Sequence, residues 1–68
     1  MIMHPSTVAI LQYFAYDHLP AYLQGVSRPF AELAADMADR LDGPELTVCL
    51  RKLLEAKDCA VRAALAGP

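Results

Sequence analysis

No stretch of this sequence comes near the roughly 18 to 20 apolar residues of a membrane span, because Asp17, Arg28, Glu32, Asp36 and Asp39 interrupt its first half. Positive charge is equally scarce. Six Lys and Arg residues are spread over a chain of net charge −2, and no basic stripe of the kind a nucleic-acid duplex requires is present, which argues against DNA binding. There are two cysteines, Cys49 and Cys59, ten positions apart. If both lie in one helix they stand about 15 Å apart at 1.5 Å per residue, whereas a disulfide needs Cα atoms within about 7 Å. With His4 and His18 as the only histidines, no metal-ligand spacing emerges. The cysteines are expected to be small buried residues in a reducing cytoplasm.

Catalytic motifs are missing as well. The chain has no Gly-rich phosphate loop, no His-x-Glu or Cys-x-x-Cys pattern and no Ser/His/Asp set. Glu32, Asp36 and Asp39 recur at helical spacing, and a solvated helix face accounts for them. A carboxylate metal cage would need a second cluster. The expectation is a non-enzyme without catalytic residues, metal or cofactor. The start Met1-Ile2-Met3-His4-Pro5 has no basic n-region, so no signal peptide is expected and the cytoplasm is the expected compartment.

Apolar residues, by contrast, are abundant. They make up 56% of 68 residues, more than a monomer of this size readily hides. Chains this short usually need disulfides, a metal or oligomerisation. With the first two set aside, the third remains.

Punctuation at Pro5-Ser6, His18-Leu19-Pro20, Asp42-Gly43-Pro44 and Gly67-Pro68 divides one domain, residues 1–68, into a short segment and two long helices. Ser6 is a good N-cap for the first segment, which reads as a short helix ending before Pro20. Its β-branched and aromatic content would also suit an extended arm. Leu19, Leu23, Val26, Phe30, Leu33, Met37 and Leu41 form a helical stripe that runs in phase through Pro29. A bent helix over about Ala21 to Leu41 follows, with two helices meeting at Ser27 as the lesser alternative. Asp42 suits a cap for the third segment, Pro44 its first turn and Glu45 its N-terminal dipole. Leu46, Leu50, Leu53, Lys57, Ala60 and Ala64 trace the inner stripe there, while Arg51/Glu55 and Asp58/Arg62 offer i, i+4 ion pairs. The expected fold is all-α: a short N-terminal helix plus a bent long helix and a second long helix that form an antiparallel αα-hairpin, oligomeric because a hairpin alone cannot cover both apolar stripes.

One region has the ingredients of a small anionic ligand's site. Tyr13, Phe14, Tyr16 and Tyr22 gather most of the aromatic residues, with His18 among them. Arg28 is the only Lys or Arg in the first 39 residues and sits between Ser27 and Pro29. An Arg beside an opened helical turn can fork onto a phosphate, and a tyrosine ring stacks on a base for about 1 to 3 kcal/mol. The plainer alternatives are tyrosines at the rim of the core and an Arg28–Glu32 pair.

The run Phe14 to Pro20, then Val26-Ser27-Arg28-Pro29-Phe30, then Leu50 to Ala64 resembles a family of small phage proteins, the anti-CBASS cyclic-oligonucleotide sponges, whose hairpin domain is shared with an anti-Thoeris sponge. The resemblance covers residues 12 to 66, and Leu50-Arg51-Lys52-Leu53-Leu54-Glu55-Ala56-Lys57-Asp58 is its most distinctive part. It implies a helical homohexamer that binds cyclic dinucleotides between protomers and, in some members, cyclic trinucleotides at a separate site. Sequestering the messenger in the host cytoplasm would block immune signalling without breaking a bond. The stacking tyrosine and the basic residue of the dinucleotide pocket map onto Tyr13 and Arg28, with Ser27 and Phe30 as neighbours. Arg62 or Arg51 would serve the trinucleotide. The N-terminal arm is short for the family, which leaves a trimer or dimer open. The alternative is a plain helical interaction module that docks its apolar face on a larger partner.

Overall fold

Pro5 has its φ pre-set for a first helical turn, and the chain's first helix begins on it. The computed structural model describes residues 3–67, and the described elements are all helical: α1 Pro5–Leu11, a 3₁₀ turn Gln12–Phe14, α2 Ala21–Arg40 and α3 Pro44–Ala66. Of the C-terminal punctuation, Pro68 lies outside the described residues, as do Met1 and Ile2. The cap of α1 is His4, whose ring Nδ1 accepts from the Ser6 N–H at 3.1 Å. Ser6, expected to cap, lies inside the first turn because the helix starts on the proline.

Residues 15–20 link the 3₁₀ turn to α2. The Gln24 side chain pins this link by donating to the carbonyls of Leu19 at 2.8 Å and Asp17 at 3.3 Å. The helix α2 continues through Pro29 without a break, so the alternative of two helices meeting at Ser27 does not hold. It stops at Leu41, which is extended. Gly43, with φ of 93°, then turns the chain into α3. At that angle a side chain would be strained. Asp42 therefore does not cap α3. The cap residue is Gly43, which has no side chain to offer, and Pro44 takes the first position.

The two long helices measure roughly 30 and 35 Å at 1.5 Å per residue. The molecule measures 39 × 19 × 16 Å, so they lie side by side. Their contact is built on small residues of α2. Ala34 and Ala38 pack with Leu46 and Leu50 of α3, and Phe14 from the 3₁₀ turn closes the same cluster. Ser27, also fully buried on α2, has a hydroxyl with no hydrogen-bond partner among the described residues. The buried strip of α2 is thus Leu23, Ser27, Ala34 and Ala38, rotated by about one residue from the expected stripe. Leu33 and Leu41 of that stripe are about half exposed, at 47% and 50%. Alanine lets the second helix approach more closely than leucine does. The larger residues are left at the flanks, where Phe30 and Met37 are half-buried.

Two further expectations change. Cys49 and Cys59 are free thiols, and both are exposed rather than buried. The i, i+4 pairs of α3 are replaced by others: Glu55 pairs with Lys52 at 3.6 Å, and Asp58 with Lys57 at 3.0 Å. Lys57 lies on the inner stripe with its side chain only 14% exposed. Its stem is mostly buried while its ammonium reaches Asp58.

Candidate functional site

Four of the six Lys and Arg residues have a carboxylate partner. Arg28 meets Glu32 at 3.5 Å, Arg40 meets Asp36 at 3.7 Å, and Lys52 and Lys57 are paired as above. The two without an ion pair among the described residues are Arg51 and Arg62, whose expected partners are taken by the neighbouring lysines. Each lines a concavity, one of about 570 Å³ for Arg51 and one of about 340 Å³ for Arg62.

The Arg62 groove encloses about 340 Å³ between α3 and the segment that follows α1. One wall carries Tyr13, Gln12 and His18; the other carries Lys57, Asp58 and Arg62. Local structure explains how the first wall is held. Phe14 is buried at 2% exposure and anchors the 3₁₀ turn, which turns its neighbour Tyr13 outward to 62% exposure. The Gln24 clamp on Asp17 and Leu19 fixes the loop that carries His18. On the second wall the residues follow from α3 periodicity: Lys57, Asp58, Val61 and Arg62 fall on adjacent rows of one helix. Among the described residues the one hydrogen-bond contact of Arg62 runs from Nη2 to the Cys59 Sγ at 3.4 Å, which leaves most of its five donors without a partner there.

The groove brings an exposed aromatic ring together with the Arg62 guanidinium and with an ammonium, that of Lys57, already paired to Asp58. Tyrosine offers a π-face to any base. Arg62 offers a planar fork to phosphate oxygens, with Lys57 as a point charge beside it. No group of three His, Cys, Asp or Glu among the described residues could hold a metal ion.

The other residues singled out from the sequence stand elsewhere. Arg28 lines neither concavity and makes an exposed pair with Glu32. Such pairs are worth about 0 to 1 kcal/mol, so its guanidinium is available to an incoming anion at little cost. Ser27 is fully buried, and Phe30 is half-buried against the core cluster. Arg51 belongs to the larger concavity, about 570 Å³, between the start of α1 and the α2–α3 connection.

Sequence reasoning missed Lys57 as a site residue. The signal was there: a lysine in an otherwise apolar stripe, and a buried stem is how such a residue is accommodated. The pairing of Tyr13 with Arg62 had no local signal, because 49 positions separate them. Among the described residues no helix is long and apolar enough to cross a membrane. Compared with protein families, with curated proteins and with solved structures, the chain matches none.

Proposed function

We propose that this protein binds cyclic oligonucleotides, cyclic dinucleotides first among them, and sequesters them intact, which would block the host immune signalling those messengers drive. The observation that carries the reading is the Tyr13 ring, solvent-exposed on a groove whose far wall holds Lys57 and Arg62, the latter without an ion pair among the described residues. Tyr13 stacks on one base, and Arg62 and Lys57 take the adjacent phosphate. At about 340 Å³ the groove is near the lower end for small-molecule sites. It has room for one nucleotide unit and not for a whole cyclic dinucleotide.

The other half of the ligand would therefore meet a second copy. Arg28, held only by a surface pair, is the residue that copy would offer, and a cyclic trinucleotide would engage Arg62 or Arg51 in the same manner. The reading includes an antiparallel hairpin of α2, bent at Pro29, with α3, assembled into a homo-oligomer as large as a hexamer and working in the host cytoplasm. Exposed apolar side chains on every helix, among them Val8, Tyr22, Leu33 and Leu65, support assembly.

The test is calorimetric titration with a panel of 3′,3′-cyclic dinucleotides and a cyclic trinucleotide, followed by chromatography of the recovered ligand. Saturable binding with ligand recovered unchanged is expected. Linear products would make the protein an enzyme. An absence of binding across the panel would leave the partner-docking module as the reading.

A further inference from the structure

We infer that the larger concavity, at the α2–α3 connection, binds a small aliphatic carboxylate, a medium-chain fatty acid whose head group Arg51 holds and whose chain lies on the aliphatic wall. The inference goes beyond the nucleotide reading and uses another part of the molecule. At about 570 Å³ the concavity falls within the roughly 300 to 1,000 Å³ of small-molecule sites, which are mostly apolar with a few placed polar groups. Its apolar lining is aliphatic: Met3, Leu41 and Val48 are exposed there although large, and Leu46 joins them. Among the described residues no Tyr, Phe or Trp lines it, so a base finds no such ring to stack on, in contrast to the Tyr13 groove.

The polar groups select the head group. Pro44, Thr47, Val48 and Arg51 all line the concavity and recur at i, i+3, i+4 and i+7, so they share one face of α3. Helical side chains lean toward the N-terminus of their helix, which carries Arg51 over the turn of Thr47 and Val48. Its guanidinium has no ion pair among the described residues, and a carboxylate accepts both prongs of such a fork. Asp42 lines the concavity too, but it precedes Pro44, and Arg51 lies about 10 Å further along the helix at 1.5 Å per residue. The cation and the carboxylate therefore belong to different turns of the wall. Thr7 is an independent sign of a ligand. It lines the concavity at only 4% exposure, and its hydroxyl makes no hydrogen bond among the described residues. A buried hydroxyl without a partner costs stability, and a ligand oxygen would satisfy it.

The experiment is calorimetric titration of the full chain with octanoate and decanoate below their micelle concentrations, beside acetate and octylammonium, with helicity and solution mass recorded. Saturation at a single site per protomer is expected, tighter for decanoate than for octanoate, with neither acetate nor octylammonium bound. Arg51→Gln should weaken decanoate binding at least tenfold. Thr7→Val, which keeps the shape and loses the hydroxyl, should weaken it severalfold, and Asp42→Asn should bind at least as tightly as the wild type. Backbone amide shifts should move at Thr7, Thr47 and Val48 and stay in place at Tyr13. Undiminished affinity in a folded Arg51→Gln, octylammonium bound as well as octanoate, or shifts that cluster at Tyr13 would each overturn the inference. So would a wild type that no chain length saturates, and a mass above the monomer in that sample would make a second copy the occupant. Displacement of bound decanoate by a cyclic trinucleotide would also overturn it and return Arg51 to the nucleotide reading.

Discussion

At the level of single residues, the side chains of this protein divide into those that hold the fold and those that wait for a partner. Leu50 is fully buried at the centre of the core cluster. Truncation to alanine should cost about 2 to 5 kcal/mol, much of the stability available to so short a chain. Loss of the cooperative urea transition would register it. Ser27 is the opposite case, a buried hydroxyl without a partner. Ser27→Ala removes the unsatisfied group and improves helix propensity, so it should stabilise by about 1 kcal/mol, measured as a higher urea midpoint with unchanged slope. Of the ligand-facing residues, Tyr13→Ala should weaken cyclic-dinucleotide binding by about 1 to 3 kcal/mol. Tyr13→Phe keeps the ring and should bind nearly as the wild type does. On the proposed reading Arg28→Ala should weaken binding by about 1.5 to 3 kcal/mol while the assembly survives, because that reading gives Arg28 a charge-assisted contact across copies. Titration of each variant reads both effects.

Helices were the most legible level. The stripe through Pro29 indicated one continuous helix, and α2 runs Ala21–Arg40 without interruption. The face that stripe presents was less legible. Period counting weights leucine and phenylalanine, whereas the small residues Ala34, Ala38 and Ser27 are among those that α2 buries. Charge pairing on α3 failed for a similar reason. Spacing permits Arg51 to reach Glu55 and Arg62 to reach Asp58, but Lys52 and Lys57 lie nearer and win. That local competition leaves two arginines unpaired, one in each concavity. Gly25 tests the element directly. It lies inside α2, and a methyl group there would meet nothing within 4 Å. Gly25→Ala should stabilise by roughly 0.5 to 1 kcal/mol through helix propensity alone, visible as a raised thermal midpoint.

For the whole molecule, the decisive feature is how little of its apolar surface one protomer buries. Among the described residues six apolar ones are buried, while eight large ones are exposed, and these eight include Tyr13 at the groove. The candidate site was half legible from sequence. Tyr13 and Arg62 were both singled out, but for separate ligands, and only the packing of the post-α1 segment on α3 puts them in one groove. A further prediction belongs at this scale. Binding should rise and fall with assembly, so dilution below the oligomer's dissociation range should weaken cyclic-dinucleotide affinity along with it.

The most direct measurement is a titration of Arg62→Gln beside the wild type with one tightly bound cyclic dinucleotide, its solution mass recorded in both. The account predicts wild-type assembly in the variant, intact ligand recovered from the wild type, and affinity reduced by about 1.5 to 3 kcal/mol, the range for a hydrogen bond to a charged group. Undiminished affinity in a properly assembled Arg62→Gln would contradict it, because the Tyr13–Arg62 groove would then not be where the ligand is held.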